Sequence, residues 1–309
     1  METRLKYGLI LLILIILTLY WYITPDTTPV ENITTTIPVT TTTTIPEEPE
    51  IEKLVECNYD FRDSNGDILV MDDGSIYVVN YNSIQKFQII ESKCSYQWGI
   101  IFQRDNQQIV SDGRYLWVSS RSTNVLGKFN LQGLQLSFRI YNIKQPMGLE
   151  LRDNYLYVTE FEGSLKKYDK TGGKPILSIP QEGYVFDVAV DSEGNMYVIT
   201  NEKFSLRGGD MISRFNPKGE LLEKTYLSTG ASKSIKIDKD DNLFVMDSDI
   251  KDDYGYISNM VKKYSPDKEL MGSWKVDGFI TSFTIFEDML FIASVDDSKS
   301  KLTYFDLKT

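Results

Sequence analysis

The sequence contains no histidine, and this absence narrows the chemistry open to the protein. Histidine is the usual proton shuttle near neutral pH and the commonest nitrogen ligand of protein-bound metals. Cysteine is scarce as well, because Cys57 and Cys94 are the only two, and their separation does not match a metal-ligand spacing. Nucleophilic triads with a histidine base and histidine-bound metals are therefore excluded, whereas sites built from carboxylates remain open.

Basic residues are also fewer than acidic ones. The chain carries 33 Lys and Arg against 44 Asp and Glu, which gives a net charge of −11. A surface of this sign repels the phosphate backbone of DNA and RNA. We therefore predict that nucleic acid is not a partner.

The sequence contains a single long apolar run, which lies near the N-terminus. Residues 7–23 are uncharged and rich in Leu and Ile, long enough at 1.5 Å per residue to cross about 26 Å of hydrocarbon. Arg4 and Lys6 precede this run and the next basic residue is Lys53, so the positive-inside rule places residues 1–6 in the cytoplasm. No small-residue cleavage site follows, which favours an uncleaved single-pass signal anchor over a cleaved signal peptide.

The next segment, residues 24–50, has the composition of an extended spacer. It contains eleven Thr and five Pro, too little apolar surface to offset the entropy lost on ordering. We predict a disordered stalk that holds the following domain outside the cell. Its Thr cluster suits O-glycosylation, and Asn32 lies in the single N-x-[ST] sequon of the chain.

The remainder, residues 51–309, is organised by a repeat. An aromatic residue between aliphatic neighbours recurs six times at intervals of 40, 40, 40, 47 and 47 residues, a period typical of repeat architectures. Each aromatic strand follows an alternating strand and a polar turn, and it precedes a third strand that ends in a basic-aromatic or similar pair. The six aromatic positions are Tyr77, Trp117, Tyr157, Tyr197, Phe244 and Phe291.

Four short strands per repeat describe the blade of a β-propeller, and we predict an all-β, six-bladed propeller. The sixth repeat ends four residues after Phe305, which leaves no room for a fourth strand. An unpaired edge would then be exposed. Residues 51–57 have the length to close that blade, whereas the alternative is that they continue the stalk.

The predicted assignment of strands to blades also indicates whether the two cysteines can form a disulfide. It places Cys57 late in one outer strand and Cys94 near the start of another, and cysteines whose Cα atoms lie more than about 7 Å apart cannot be joined without moving the backbone. The sequence therefore favours two small, half-buried apolar side chains, with a disulfide as the alternative.

The fourth repeat resembles an NHL repeat. Residues 190–198 (VDSEGNMYV) and 212–215 (ISRF) are similar to its D-x-x-G-N-hydrophobic-Y-V segment and its basic-aromatic pair. The first, third and fifth repeats match more loosely, and the resemblance covers roughly residues 51–309. It implies a six-bladed propeller but no single function, since similar propellers act as binding scaffolds, lyases and lactonases.

Candidate site residues lie where the aromatic strands end, because those ends gather on one face around the axis. One polar residue per blade closes the strand there: Asn80, Ser120, Glu160, Thr200, Asp247 and Ser294. Glu160 and Asp247 are the candidate Ca²⁺ ligands. The alternative interpretation is that each side chain caps its own loop. Loops 201–210 and 248–259 are the longest on this face, and long loops in compact domains are often functional.

Together these features predict a membrane-anchored extracellular propeller that binds protein or carbohydrate at the cell surface. No catalytic constellation is recognisable, so an enzyme is the less favoured interpretation and no cofactor is required. Two alternatives stay open: a Ca²⁺-dependent hydrolase or lactonase, although the Glu-Gly-Pro stretch of the gluconolactonase group has no counterpart here, and a structural envelope component. The predicted ligand-binding residues are Asn80, Arg121, Glu160, Phe204, Arg207, Asp247, Asp249 and Tyr254.

Overall fold

Six four-stranded antiparallel sheets follow one another in the computed structural model of the chain. The structure describes residues 53–55, 66–90, 93–138, 140–141, 143–201, 210–226, 233–247, 250–252, 255–257, 259–296 and 299–308. None of these segments forms a helix that could span a membrane. The predicted cytoplasmic N-terminus (1–6), signal anchor (7–23) and stalk (24–50) lie outside the described residues, as does Asn32.

Each sheet is one blade, and in the first five blades the strands follow one another from the inside outwards along the chain. The first blade consists of β2 (Ile68–Val70), β3 (Ser75–Val79), β4 (Ser83–Ile90) and β5 (Lys93–Ile101). The second consists of β6 (Asn106–Ser111), β7 (Tyr115–Ser120), β8 (Val125–Asn130) and β9 (Gln135–Leu136). The third consists of β10 (Pro146–Arg152), β11 (Tyr155–Glu160), β12 (Ser164–Asp169) and β13 (Leu177–Pro180).

The remaining blades keep this order. The fourth consists of β14 (Tyr184–Val190), β15 (Met196–Asn201), β16 (Asp210–Phe215) and β17 (Leu221–Tyr226). The fifth consists of β18 (Ile235–Ile237), β19 (Leu243–Asp247), β22 (Met260–Tyr264) and β23 (Leu270–Lys275), with a hairpin of β20 (Ile250–Asp252) and β21 (Gly255–Ile257) inserted. The sixth consists of β24 (Phe279–Phe286), β25 (Met289–Asp296), β26 (Lys299–Asp306) and β1 (Lys53–Val55). The all-β, six-bladed propeller is thereby confirmed.

The last blade takes its outer strand from the N-terminal side of the domain. Strand β1 pairs antiparallel with β26, with Lys53 opposite Tyr304 and Val55 opposite Leu302. This pairing covers the outer edge that β26 would otherwise present to other chains. The innermost strands also contact one another in a closed sequence, from β2 through β6, β10, β14, β18 and β24 back to β2.

The repeated aromatic residue has a specific partner in its own blade. In five blades it lies directly opposite the basic residue of the third strand, and the cation sits 4.8 to 5.5 Å from the ring centroid. These pairs are Tyr77 with Lys86, Trp117 with Lys128, Tyr157 with Lys167, Tyr197 with Arg214, and Phe244 with Lys263. The basic residue thus covers the ring with its stem and places its charge over the π face. In the sixth blade, Tyr304 replaces the cation opposite Phe291.

The expectation that the cysteines are not in a disulfide was wrong for Cys94, which is disulfide-bonded. Cys94 lies in β5, the outer strand of the first blade, and packs on a cluster that includes Val295 and Leu302 of the sixth blade. Cys94 therefore packs on a cluster that the first and sixth blades share. The other cysteine of the chain, Cys57, lies outside the described residues.

Neighbouring blades are joined near the axis by side chains at one repeated position, here called the inner ring. Its members are Asp67, Gln108, Gly148, Asp187, Ser234 and Ser282. At four junctions a ring side chain accepts a hydrogen bond from a backbone amide of the next blade: Ile109 N to Asp67, Leu149 N to Gln108, Ile235 N to Asp187 and Ile68 N to Ser282. The ring therefore ties adjacent inner strands together without a continuous sheet.

Gly148 is the ring member with no side chain, and the packing explains why. A Cβ atom added at Gly148 would lie 2.5 Å from the Cα of Asp187 and 2.8 Å from the carbonyl oxygen of Phe186. Both atoms belong to the backbone of the next inner strand, so they cannot move aside as the end of a side chain could.

Gly148→Ala should accordingly lower the free energy of unfolding by about 2 to 3 kcal/mol, measured by urea denaturation. Gly99→Ala is the matched control. A Cβ atom there meets the hydroxyl of Tyr96, a ring that is 58% exposed and free to move, so its effect should stay within about 0.5 kcal/mol. Equal urea midpoints for the two variants would contradict the close approach of the third and fourth blades.

Candidate functional site

The upper face of the propeller is defined here as the end at which the second strands finish and the third strands begin. The six polar residues predicted to meet there do occupy equivalent positions, at or within two residues of the ends of the second strands. Five of the six are buried, and Asn80 is half-buried. This burial means that the residues line the base of the loops rather than an open surface.

In the second and third blades these residues hydrogen-bond to nearby parts of the fold, which is close to the capping alternative that the sequence left open. The Ser120 hydroxyl donates to the carbonyl oxygen of Arg104 over 2.7 Å. The Glu160 carboxylate accepts from the Lys144 amide over 2.6 Å and from Lys166 Nζ over 2.7 Å. The Ser164 hydroxyl donates to the second oxygen of Glu160. The carboxylate is therefore engaged by three donors, from the third blade and from the connection that precedes it.

The second candidate Ca²⁺ ligand, Asp247, is also engaged by a lysine. Its carboxylate lies 2.5 Å from Lys262 Nζ, on the neighbouring strand. In the part of the chain that the structure describes, no three acidic or cysteine side chains approach closely enough to hold a metal ion. Each of the two carboxylates thus neutralises an ammonium group in the fold described here.

Three other members of this set contain atoms without a hydrogen-bond partner. They are Asn80 Oδ1, Thr200 Oγ1 and Ser294 Oγ, and all three atoms are buried. A buried polar atom without a partner is uncommon in folded proteins, and water or a bound molecule generally satisfies it. Four other predicted contact residues, Phe204, Arg207, Asp249 and Tyr254, lie outside the described residues.

Arg121 is a predicted site residue that remains partly accessible, with 30% of its side chain exposed. Its guanidinium donates twice to Asp105, over 2.8 and 3.3 Å, and lies 5.2 Å from the centroid of the Phe161 ring. Phe161 in turn contacts the rings of Tyr184 at 4.8 Å and Phe186 at 6.2 Å. Arg121, Phe161, Tyr184 and Phe186 form the Arg121 cluster, and all four are partly exposed.

Sequence reasoning found Arg121 and missed its three aromatic neighbours. Phe161 follows the second strand of the third blade directly, and Tyr184 opens the inner strand of the fourth. The sequence does indicate both residues as candidates, because each is a large aromatic residue at a strand end on the upper face. What the sequence does not show is that the loops of three successive blades bring them together.

A second polar group lies along the axis. Glu150 and Lys236 each follow an inner-ring position by two residues, in the third and fifth blades, and both are half-buried. They interact electrostatically with each other and with the ring carboxylates Asp67 and Asp187, which belong to the first and fourth blades. Charged groups from four blades therefore lie close enough to interact.

Burial governs the ionisation of these groups. Desolvation raises the pKa of Glu150 to about 7, although Lys236 and Arg152 oppose it. Desolvation likewise raises the pKa of Asp187. The same effect acts to lower the pKa of Lys236, but the carboxylates of Asp67, Asp187 and Glu150 together outweigh it and hold the pKa above its ordinary value. Lys236 is thus a cation, and Glu150 changes charge near neutral pH.

The raised pKa of Glu150 has a consequence for stability. A carboxyl that holds its proton more tightly when folded stabilises the fold at low pH, and this contribution is lost as pH rises from the ordinary value of 4.5 to about 7. Glu150→Gln should therefore be more stable than the parent at pH 8, by up to about 3 kcal/mol, and nearly equal to it at pH 4.

Urea denaturation at both pH values provides the measurement. The exposed Glu182→Gln serves as control, and the difference between this variant and the parent should not change with pH. If Glu150→Gln differed from the parent by the same amount at pH 4 and pH 8, the assignment of the raised pKa to Glu150 would be wrong.

Comparison with known proteins supports the fold but does not indicate a function. No family model matches the sequence, and no curated protein matches it. Hydrazine synthase of Kuenenia stuttgartiensis is similar in structure, with a TM-score of 0.58 and 12% identity over 82% of this chain and 76% of its own. Streptogramin B lyase gives a TM-score of 0.54 and 14% identity over 83% of this chain and 87% of its own.

A protein of unknown function from Desulfotomaculum acetoxidans gives a TM-score of 0.50 and 14% identity over 67% of this chain and 70% of its own. Proteins with such different descriptions share a propeller, so similarity at this level of identity shows architecture alone. The resemblance to NHL repeats accordingly stays a prediction from the sequence.

Proposed function

We propose that the protein is a membrane-anchored recognition module whose propeller lies outside the cell and binds a protein or carbohydrate through its upper face. The observation that carries this proposal is the Arg121 cluster, in which a partly exposed guanidinium lies over the Phe161 ring, which in turn contacts other partly exposed aromatic rings. Arginine and aromatic residues are the side chains that most often dominate binding energy at protein surfaces.

The cluster is held in place before any partner arrives. Arg121 is fixed by the paired hydrogen bonds to Asp105, which is itself buried. Phe161 is fixed by contacts with rings from the next inner strand. Groups that are already ordered lose little conformational entropy on binding. The aromatic faces suit sugar rings or apolar side chains, and the outer edge of the guanidinium suits a carboxylate or hydroxyl.

Two features support a location outside the cytosol. The apolar segment 7–23 is preceded by the only basic residues before Lys53, as expected for an anchor with a cytoplasmic N-terminus. In addition, Cys94 is disulfide-bonded, and structural disulfides persist mainly in oxidising compartments.

The hydrolase alternative has less support in the described residues. Its candidate ligands, Glu160 and Asp247, each contact a lysine ammonium. Catalysis by a carboxylate-bound cation would require those ion pairs to open. We therefore place recognition first, with the upper face as the contact surface.

Arg121→Ala and Phe161→Ala should each weaken partner binding at least tenfold, the effect of removing about 1.4 kcal/mol. Full-length protein in detergent would be tested on a glycan array and, after crosslinking on intact cells, for bound surface proteins. Arg114→Ala is the matched control, because Arg114 lies 5.1 Å from the ring of Tyr115 at the opposite end of the second blade. Binding that tolerates the first two changes, or is lost in the control, would refute the assignment.

The anchor is tested separately. Mass spectrometry of the membrane-extracted protein should find residues 7–23 retained, and protease added to intact cells should release the propeller. A mature N-terminus beyond residue 22, or a propeller protected until the cells are lysed, would contradict the proposed topology.

A further inference from the structure

Arg121 retains donor groups after the fold has fixed its position. Asp105 accepts from Nε and from Nη2 of the guanidinium, and a guanidinium has more N–H groups than this one carboxylate uses. Among the residues that the structure describes, no other acceptor bonds to Arg121. The edge formed by Nη1 and Nη2 therefore keeps a pair of parallel N–H groups, the arrangement that binds a carboxylate through paired hydrogen bonds.

Arg104 lies beside the turn that contains Arg121. Its carbonyl oxygen accepts hydrogen bonds from the hydroxyls of Ser120 and Ser122, over 2.7 and 3.1 Å, and these serines flank Arg121 in sequence. Arg104 is exposed, and within the described ranges it forms no ion pair of 4.0 Å or less. A second cation without a carboxylate partner is therefore carried by the loop that contacts the Arg121 turn.

Lys144 lies on the other side of the same turn. The next residue, Gln145, accepts a hydrogen bond from the Phe161 amide over 3.0 Å and donates to the Asn124 side chain over 2.6 Å. The Asn124 amide in turn donates to the carbonyl oxygen of Arg121 over 3.3 Å. Lys144 is exposed, and the described part of the chain holds no ion pair to its ammonium. Three cations thus belong to the second blade and to the connections on either side of it.

Exposed negative charge on this part of the upper face lies further along the third blade. Glu162 and Glu182 are both exposed, and their neighbours Gly163 and Gln181 are joined by a hydrogen bond of 2.9 Å, so the two glutamates belong to adjacent loop segments. Positive charge is therefore concentrated around Arg121 and negative charge around this pair. A ligand with one acid group and several hydrogen-bond donors complements that arrangement better than a polyanion does.

The backbone amides at the cluster are already paired within the loops. Those of Arg121 and Phe161 donate to the carbonyl oxygens of Asp105 and Gln145, over 3.0 Å in both cases. An extended peptide is commonly bound through unpaired backbone groups of a strand edge. What this site offers instead is a guanidinium, ammonium groups, hydroxyls and partly exposed rings. These groups suit a sugar, whose apolar ring face packs on aromatic rings and whose hydroxyls form hydrogen bonds with polar side chains.

We propose that the upper face binds a carboxylated sugar, with its carboxylate on Arg121 and its apolar ring face against Phe161 and Tyr184. Its hydroxyls donate to Glu162 and Glu182. Because the cluster is the same one, this assignment holds only if the recognition function proposed above is correct. A neutral sugar would leave the parallel N–H groups of Arg121 without an acceptor of matching charge.

The ligand test uses full-length protein in detergent near neutral pH. Oligosaccharides of glucuronate, galacturonate and N-acetylneuraminate would be compared by calorimetry with their methyl esters, which keep the shape of the sugar and remove the charge. At least one acid should bind saturably, and its ester should bind at least about tenfold more weakly. Added salt should weaken binding of the acid more than that of the ester.

The outcomes separate this proposal from the broader one. Equal binding of acid and ester, or capture of a protein, a neutral sugar or a sulfated sugar in place of a carboxylated one, would overturn the carboxylated sugar while recognition by the cluster stood. The absence of any partner whose binding depends on Arg121 or Phe161 would overturn both.

Variants then locate the site. Arg104→Ala and Lys144→Ala change exposed residues without ion pairs, so both proteins should fold normally, and each should weaken binding of the acid several-fold. Lys174→Ala is the matched control, an exposed lysine in the lower turn of the third blade. Arg121→Lys keeps the charge but loses the parallel N–H groups, and it should weaken binding of the acid more than that of the ester. Affinity for the acid that is unchanged in both alanine variants, or lowered equally in the control, would overturn the proposal.

Discussion

Closure of the inner strands around the axis is the constraint on which the rest of this molecule depends. The closing contact joins Asp67 in the first blade to Ser282 in the sixth, 215 residues apart in sequence, and the amide of Ile68 donates to the same serine. Bringing such distant segments together costs loop entropy. The cost is offset by pairing of β1 with β26 and by the apolar cluster that the first and sixth blades share. The six blades form a closed ring only when the first and sixth blades are in contact.

The regularity of the second and third strands is what made the fold predictable. An aromatic residue with a basic residue directly opposite it is a local pairing, decided within about ten to twenty residues of one hairpin. Its spacing is therefore visible in the sequence, and it fixes the number of blades. The disulfide at Cys94 was not predictable in the same way, because it depends on how the first blade meets the sixth, a contact between opposite ends of the domain.

The candidate site was predictable only in part, for the same reason. Strand ends on the upper face can be counted from the sequence, and Arg121 and Glu160 were found there. Their roles depend on neighbours: Glu160 is engaged by Lys144, Ser164 and Lys166. Arg121, by contrast, is held by Asp105 and stacked on a ring from the next blade. Two charged residues at similar positions therefore differ in availability, and the pattern of residue types does not separate them.

The polar group along the axis extends this reasoning to residues that no local pattern marks. Glu150 and Lys236 interrupt alternating inner strands that would be equally well formed with apolar or hydroxyl residues, as Val110 and Thr284 show at the equivalent positions. The fold has already committed the ring carboxylates Asp67 and Asp187 to hydrogen bonds between blades. A carboxyl whose pKa is raised to about 7 by burial costs folding free energy when it is ionised. Burial at the Glu150 position therefore lowers stability above neutral pH, whereas the carboxylates around Lys236 favour its charged form.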